Sequence, residues 1–332
     1  MIKINDVSIS SISSCVPKNI ISNSELSVKY SSCELDKLIS SIGVNTRHIA
    51  PNLMTSSDLC FSAAQQLINK NNVDLNDIGA LIFVSQTPDY QLPATACVLQ
   101  HKLGLPVNTI AFDVNMGCSG YVYGLYIASS LVKSGMKNVL LLVGDTISKI
   151  VKPGDRSTEL LFGDAGTASL ITAKKGFDIC FELGTDGSGF EHIIANKKME
   201  PDAIIRGMKS AYLEMNGGEV FSFTLKRIPK LINGFLSSLD INSENINACV
   251  YHQANRFMIN HLSRKSKFEP KQVPISIDQF GNTSCASIPL TLCSRKIDSY
   301  KNLLLVGFGV GLSWGAVYLD LSDTILLPVQ EI

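Results

Sequence analysis

Two kinds of segment alternate along the chain, and this alternation constrains the fold more than any other feature. Short runs of consecutive apolar residues are typical of strands buried on both faces, and apolar residues at helical spacing are typical of helices that pack against a sheet. Because such strands need helices on both sides of their sheet, the sequence predicts an α/β fold. The strand-like runs include 78–84, 111–114, 138–143, 248–251 and 301–306, and the helical patterns include 94–103, 120–134, 219–239 and 256–263.

The two halves of the chain resemble each other. NVLLLVGDT at 138–146 and NLLLVGFGVG at 302–311 both begin with Asn, continue as an apolar run and then reach a Gly. No linker rich in Ser, Gly or Pro separates the halves. We therefore predict two related α/β halves, 1–172 and 173–332, fused across one core. The first half would carry a candidate nucleophile and the second a candidate histidine and asparagine.

Composition and charge exclude several classes of function. Apolar residues make up 45% of the 332 residues and charged residues only 17%, so much of the surface must be buried in a thick core or against another subunit. The 29 basic and 29 acidic residues balance, which argues against a nucleic-acid partner. The longest apolar run, 303–312, is about half as long as a membrane span, and the nine cysteines form no CxxC pairs. We expect a soluble, cytoplasmic protein with no membrane partner and no metal site.

Cys118 lies where a predicted strand turns into a predicted helix. A helix N-terminus carries partial positive charge and unpaired N–H groups, which stabilise a thiolate and can hold an oxyanion. The neighbouring Gly117 and Gly120 allow other backbone to approach closely. The alternative is a small buried hydrophobic residue, which is our interpretation of the other cysteines. Those are Cys15, Cys33, Cys60, Cys97, Cys180, Cys249, Cys285 and Cys293.

Two later residues are candidate partners for this thiol. His252 follows the strand-like run 248–251, and ligands of α/β sheets bind at the carboxyl ends of strands. Asn282 lies in a Gly-Asn-Thr-Ser corner that opens another helix, where a capping or turn role is the alternative. Because the three residues are far apart in sequence, their spacing does not establish that they meet.

Six segments of the chain form a recognisable set: IGVNTRHIA (42–50), FDVNMGCSGYVYGL (112–125), LLFGDAGTASLI (160–171), HQAN (252–255), GNTSCASIPL (281–290) and GFGVGLSWG (307–315). Together they resemble the β-ketoacyl-acyl carrier protein synthase III family of the thiolase superfamily. This resemblance implies a five-layered αβαβα fold built from two related halves, and a homodimer. The Asn282 corner distinguishes this family from relatives that use a second His or a second Cys at that position.

The resemblance also implies a site and its substrates. Cys118, His252 and Asn282 would form the catalytic set at the end of a pantetheine tunnel, with the backbone N–H groups of Cys118 and Val310 holding an oxyanion. The substrates would be coenzyme A or phosphopantetheine thioesters, the partner would be an acyl carrier protein, and no cofactor would be bound. The implied substrate contacts are Arg156, Phe221, Thr224, Asn255, Lys37 and, from one subunit into the other's acyl pocket, Leu92.

Several positions depart from the family pattern, and they cluster at the entrance of the implied tunnel. Lys37 stands where a tryptophan stacks on the adenine of coenzyme A, and Ser41 replaces a nearby arginine. Val310 occupies a glycine position of the glycine loop and makes the tunnel wall bulkier. The other departures are Ser157, Ser222 and Phe257, with Arg256 displaced by one position.

Three functions are compatible with these observations. The first is decarboxylative Claisen condensation, in which an acyl group on Cys118 joins a malonyl-carrier protein to give a β-ketoacyl thioester, in fatty acid initiation or a specialised acyl or polyketide pathway. The second is an acyltransferase that passes the acyl group to a hydroxyl or an amine. The third is an inactive dimeric partner of another synthase. Retention of all three site residues favours an active enzyme, and we predict condensation.

Overall fold

The structure is a computed structural model that describes residues 1–25, 33–195 and 212–332, without the side chains of 33–36 and 38. The interpretation of Cys33 as a buried small residue therefore lies outside the described side chains. The strands are β1 Ile2–Val16, β2 Ile20–Ser22, β3 Thr46–His48, β4 Ile78–Val84, β5 Ile110–Val114, β6 Asn138–Asp145, β7 Ala165–Thr185, β8 Ile193–Ile194, β9 Glu214–Met215, β10 Ala248–Tyr251, β11 Leu303–Gly309, β12 Ser313–Leu319, β13 Ile325–Leu326 and β14 Gln330–Glu331.

The helices follow the predicted pattern closely, because their apolar spacing is local information. The predicted helix 219–239 is continuous through Pro229 and does not end there. No helix in the described ranges is both long and apolar enough to span a membrane. The α-helices are α1 Cys33–Ile42, α2 Ser56–Lys70, α3 Thr95–Lys102, α4 Gly120–Lys133, α5 Arg156–Glu159, α6 Gly217–Ser238, α7 Arg256–Lys265, α8 Ile277–Phe280 and α9 Ser287–Ser294.

The main strands form two sheet regions with the same architecture. One has the order β5-β4-β6-β7-β1 and the other the order β10-β11-β12-β7-β1. The long strands β1 and β7 belong to both, because 165–172 of β7 pairs with β6 whereas 180–185 pairs with β12. The first residues of β1, 2–5, pair with 178–181 and so lie in the second region. The division at 172/173 stays a prediction.

Helices cover both regions in five layers. The buried faces of α4 and α9 pack between the sheet regions, against residues such as Val84 of β4 and Leu305 of β11. Helices α2 and α3 cover the outer face of the first region, and α6 and α7 cover that of the second. This order confirms the predicted αβαβα arrangement, and it places the N-terminus of α4 at the junction of the two regions.

A candidate active site between the two sheet regions

Cys118 lies in the turn between β5 and α4, two residues before the helix begins, and is only 8% exposed. The backbone of β11 passes against it. A Cβ atom added to Gly309 would lie 2.7 Å from the Cβ of Cys118 and 3.0 Å from its Sγ, so only glycine fits there without a shift. The backbone N–H of the next residue, Val310, lies close to the thiol and acts to lower its pKa.

Burial raises the pKa of the Cys118 thiol to about 11, although hydrogen bonds from the Val310 N–H and the Ser284 hydroxyl act in the opposite direction. The resting side chain is therefore a thiol near neutral pH. The thiolate character expected of a helix N-terminus has to develop during the reaction. The oxyanion role of the Cys118 and Val310 N–H groups stays a prediction. Both N–H groups lie close to the Cys118 sulfur.

His252 follows β10, and its backbone N–H donates to the Val306 carbonyl of the adjacent strand at 2.8 Å. The ring is 1% exposed and packs edge-on against Phe308, with 5.6 Å between ring centroids. Its Nδ1 lies 2.7 Å from the Ser287 hydroxyl oxygen. Because that oxygen already accepts a hydrogen bond from the Gln253 N–H at 3.4 Å, donation of the hydroxyl proton to Nδ1 satisfies both groups. In this tautomer the imidazole N–H proton is on Nε2.

Burial lowers the pKa of His252 to about 3, and a hydrogen bond with the backbone of Ser284 opposes this shift only in part. The imidazole is therefore neutral at physiological pH. A neutral imidazole with its proton on Nε2 is a hydrogen-bond donor and a weak base.

Asn282 follows a sharp corner at the end of α8. Gly281 has a φ of +68°, and a Cβ atom there would lie 2.7 Å from the Leu161 carbonyl oxygen, so the corner requires glycine. The Asn282 N–H donates to that same carbonyl at 2.8 Å. The side-chain Oδ1 accepts from the Ser284 N–H at 2.9 Å, which leaves the amide NH₂ as the group available for donation.

Ser284 lies close to all three predicted residues and was not predicted from the sequence. Its hydroxyl acts to lower the pKa of Cys118, its backbone acts to raise the pKa of His252, and its N–H donates to Asn282 Oδ1 at 2.9 Å. Its φ of +51° is unusual for a residue with a side chain and is consistent with a constrained functional position. The only signal in the sequence was its place two residues after Asn282.

One cavity of about 1020 Å³ receives all three predicted side chains. Of the predicted substrate contacts, Thr224 and Asn255 also line it, and Asn255 in addition caps α7 by accepting from the Met258 N–H at 2.7 Å. The other four do not line it. Lys37, Arg156 and Leu92 are exposed, and Phe221 is half-buried against Phe257. All six assignments stay predictions.

The comparisons with known proteins agree with this geometry. A family model described as 3-oxoacyl-[acyl-carrier-protein] synthase III matches 112–187, which includes Cys118, and its C-terminal counterpart matches 236–321, which includes His252 and Asn282. The beta-ketoacyl-[acyl-carrier-protein] synthase III of Neisseria gonorrhoeae is 36% identical over 320 residues, covering 94% of this chain and 98% of the relative. The chain belongs to the synthase III family.

Other members of the synthase III family support the same conclusion. The beta-ketoacyl-[acyl-carrier-protein] synthase III of Streptococcus agalactiae is 34% identical over 317 residues, covering 93% of this chain and 97% of the relative. The crystal structure of a 3-oxoacyl-(acyl-carrier protein) synthase from Burkholderia xenovorans is 37% identical, with a TM-score of 0.93 over 100% of this chain and 98% of that one. The family and its thiolase-like fold, predicted from motifs, are confirmed.

Proposed function

We propose that this synthase III chain catalyses decarboxylative condensation of an acyl thioester with a malonyl-carrier protein. The observation that carries the proposal is the common cavity that Cys118, His252 and Asn282 line. The reaction named for the relatives, synthesis of a β-ketoacyl group on an acyl carrier protein, needs one nucleophile and two hydrogen-bond donors, and the cavity supplies them.

The first step forms an acyl-enzyme on Cys118. The sulfur attacks the thioester carbonyl, the bond to the first thiol breaks, and the Cys118 proton leaves with that thiol, so the step balances without an external acid. The negative charge on the tetrahedral oxygen needs donors that are already in place. The backbone N–H groups of Cys118 and Val310 serve as these donors in our proposal. No bound cofactor takes part.

The second step extends the acyl group. Loss of CO₂ from the malonyl thioester leaves an enolate, whose oxygen accepts from His252 Nε2–H and from the Asn282 NH₂. The enolate carbon then attacks the acyl-Cys118 carbonyl and the bond from that carbonyl to sulfur breaks. The β-ketoacyl thioester leaves on the carrier protein, and the Cys118 thiolate takes up a proton from solvent. Each donor is already oriented by a serine, His252 by Ser287 and Asn282 by Ser284.

The pKa of His252 also bears on the alternative of plain acyl transfer. Transfer to an alcohol or amine needs a base that removes a proton from the acceptor. A buried imidazole whose pKa is lowered to about 3 is poorly matched to that task but remains a good donor. The geometry therefore favours condensation, and the retained catalytic set argues against an inactive dimeric partner.

The proposal extends to assembly and location. Strand β5 ends its sheet, and Ile110 on it is 49% exposed, which suits pairing with a second copy in a homodimer. We place the enzyme in the cytoplasm, because a reduced thiol such as Cys118 persists in a reducing compartment. The partners are an acyl carrier protein and its thioesters.

A half-reaction experiment tests the proposal. Malonyl-carrier protein should release CO₂ in step with β-ketoacyl product, and Asn282→Ala should slow this release by about 10²–10³-fold while Cys118 is still acylated. The matched control is Thr283→Val. Thr283 is a neighbouring buried residue whose hydroxyl has no partner within the described ranges, so this change should leave the rate nearly unchanged. Discharge of acyl-Cys118 onto an alcohol or amine, with no CO₂ from any malonyl donor, would replace condensation with acyl transfer.

A further inference from the structure

The cavity around Cys118 has one wall that is unusually polar. Residues 85–91, which follow β4, line it together with Asn115. A pocket for a plain alkyl chain is expected to be mainly apolar, with few polar groups at defined positions. One other part of the lining is apolar and fits that expectation, whereas this part does not. The apolar part consists of Ile147, Ile150, Leu161, Phe162, Ile193 and Leu213.

Gln86 is a polar residue that lies directly beside the turn carrying Cys118. A Cβ atom added to Gly117 would lie 2.3 Å from Gln86 Oε1 and 3.1 Å from Val310 Cγ2. The carboxamide therefore occupies the space directly beside the residue that precedes Cys118. It also lies next to the residue whose N–H contacts the thiol. An acyl group on Cys118 that extends toward this wall must pass the Gln86 amide.

The backbone of Gln86 is held firmly while its side chain keeps bonding capacity. The Gln86 N–H donates to the buried Asp145 carboxylate at 2.7 Å, and the Ser85 hydroxyl and the Thr87 N–H donate to the same oxygen at 3.0 and 3.2 Å. Within the described ranges the carboxamide makes one long hydrogen bond, from Nε2 to Asn115 Oδ1 at 3.4 Å. Its oxygen and its second N–H therefore remain available to a ligand.

A second, independent observation concerns Asp89 on the same wall. Its Oδ2 accepts from the Ser57 hydroxyl at 2.6 Å, but its Oδ1 is buried and has no hydrogen-bond partner among the residues that the structure describes. Leaving a buried acceptor unsatisfied is costly, and buried polar groups in native proteins nearly always have a partner. A donor group on a bound acyl chain would supply one.

We propose that Gln86 is a specificity-determining residue that selects acyl donors with a hydrogen-bonding group, such as a hydroxyl, on the acyl chain. The Gln86 amide bonds that group, and Asp89 Oδ1 provides a second acceptor on the same wall. The inference rests on the proposed function, because it assumes that Cys118 carries the acyl group. The competing explanation is that Gln86 only fills space and limits chain length.

The test measures acylation of Cys118 by intact mass, with butyryl, 3-hydroxybutyryl and 4-hydroxybutyryl groups on both coenzyme A and carrier protein. At least one hydroxylated donor should exceed the butyryl donor about tenfold in specificity constant, since butyryl leaves polar groups of the wall unpaired. Gln86→Met keeps the length of the side chain but removes its hydrogen bonds, so this ratio should fall about tenfold. Gln66→Met makes the same chemical change outside the cavity and should keep the parent ratio.

The outcomes separate this inference from the proposed function. Equal acylation by butyryl and hydroxylated donors, changed alike by Gln86→Met, would mean that Gln86 only limits size, and would overturn the inference while condensation stands. The expected ratios without CO₂ release from malonyl-carrier protein would overturn condensation and leave the inference intact. Failure of every donor to label Cys118 would overturn both.

Discussion

The inner end of the cavity and its entrance are built in different ways. Cys118, His252 and Asn282 are 8%, 1% and 4% exposed, and hydrogen bonds with Ser287 and Ser284 orient the last two. At the predicted entrance, Leu92 is 80% exposed and Phe257 is 50% exposed, and neither lines the cavity. The departures from the family pattern lie mostly at this outer end. In our proposal the buried residues carry out the reaction, and the exposed residues affect the choice of donor.

The largest effect is expected from removing the Cys118 thiol at the inner end of the cavity. Cys118→Ala should abolish acylation, because the other described cysteines do not combine a helix N-terminus with the Val310 N–H. Intact-mass analysis with an accepted acyl donor should add one acyl group per chain to the parent protein and none to the variant. Persistent labelling of the variant would show that another residue is the nucleophile.

A tight fit at the inner end predicts a large effect from one added methyl group. Gly309→Ala places a carbon 2.7 Å from the Cys118 Cβ, so the thiol or β11 must move. A displacement of this kind should slow acylation by about a hundredfold. Gly234→Ala on α6 is the control, because no atom lies within 4 Å of its added carbon. A normal acylation rate in Gly309→Ala would contradict the close approach of β11.

Burial of Cys118 and His252 also predicts how the reactivity of the Cys118 thiol depends on pH. The pKa of Cys118 is raised to about 11 and that of His252 is lowered to about 3. Between pH 6 and 9 the thiolate fraction, and with it alkylation of Cys118 by iodoacetamide, should therefore rise by about tenfold per pH unit. His252 stays neutral over this range and adds no inflection. Subtracting the alkylation rate measured for Cys118→Ala removes the contribution of exposed thiols. A plateau in the alkylation rate that begins near pH 6.5 would argue that His252 titrates at its ordinary value.

The smallest expected effect concerns the entrance. With Lys37 and Ser41 in place of residues that bind the adenine in relatives, acyl-coenzyme A should be a poorer donor than the same acyl group on its carrier protein. Lys37→Trp should lower the KM for acyl-coenzyme A by about fivefold through stacking. The carrier-protein donor, which has no adenine, is the control. Equal specificity constants for both donors in the parent protein would mean that these departures are neutral.

The sequence by itself determined the local elements and was sufficient to predict the residues of the candidate site. Apolar runs such as 78–84 and helical spacing such as 120–134 depend only on neighbouring residues, and the observed β4 and α4 agree with them. Cys118, His252 and Asn282 could be named because each lies in a recognisable motif at the end of an element. Their presence in one cavity could only be inferred from the family resemblance.

Tertiary structure alone decided the features that depend on residues distant in sequence. The sharing of β1 between both sheet regions follows from pairing with β7, about 170 residues away, and no local pattern encodes that register. The positions of Ser284 and Gln86 beside Cys118 were decided by the fold, which brings the loops after α8 and β4 together there. The directions of the Cys118 and His252 pKa shifts were likewise decided by the fold, because burial from all sides outweighs the local field of one helix N-terminus.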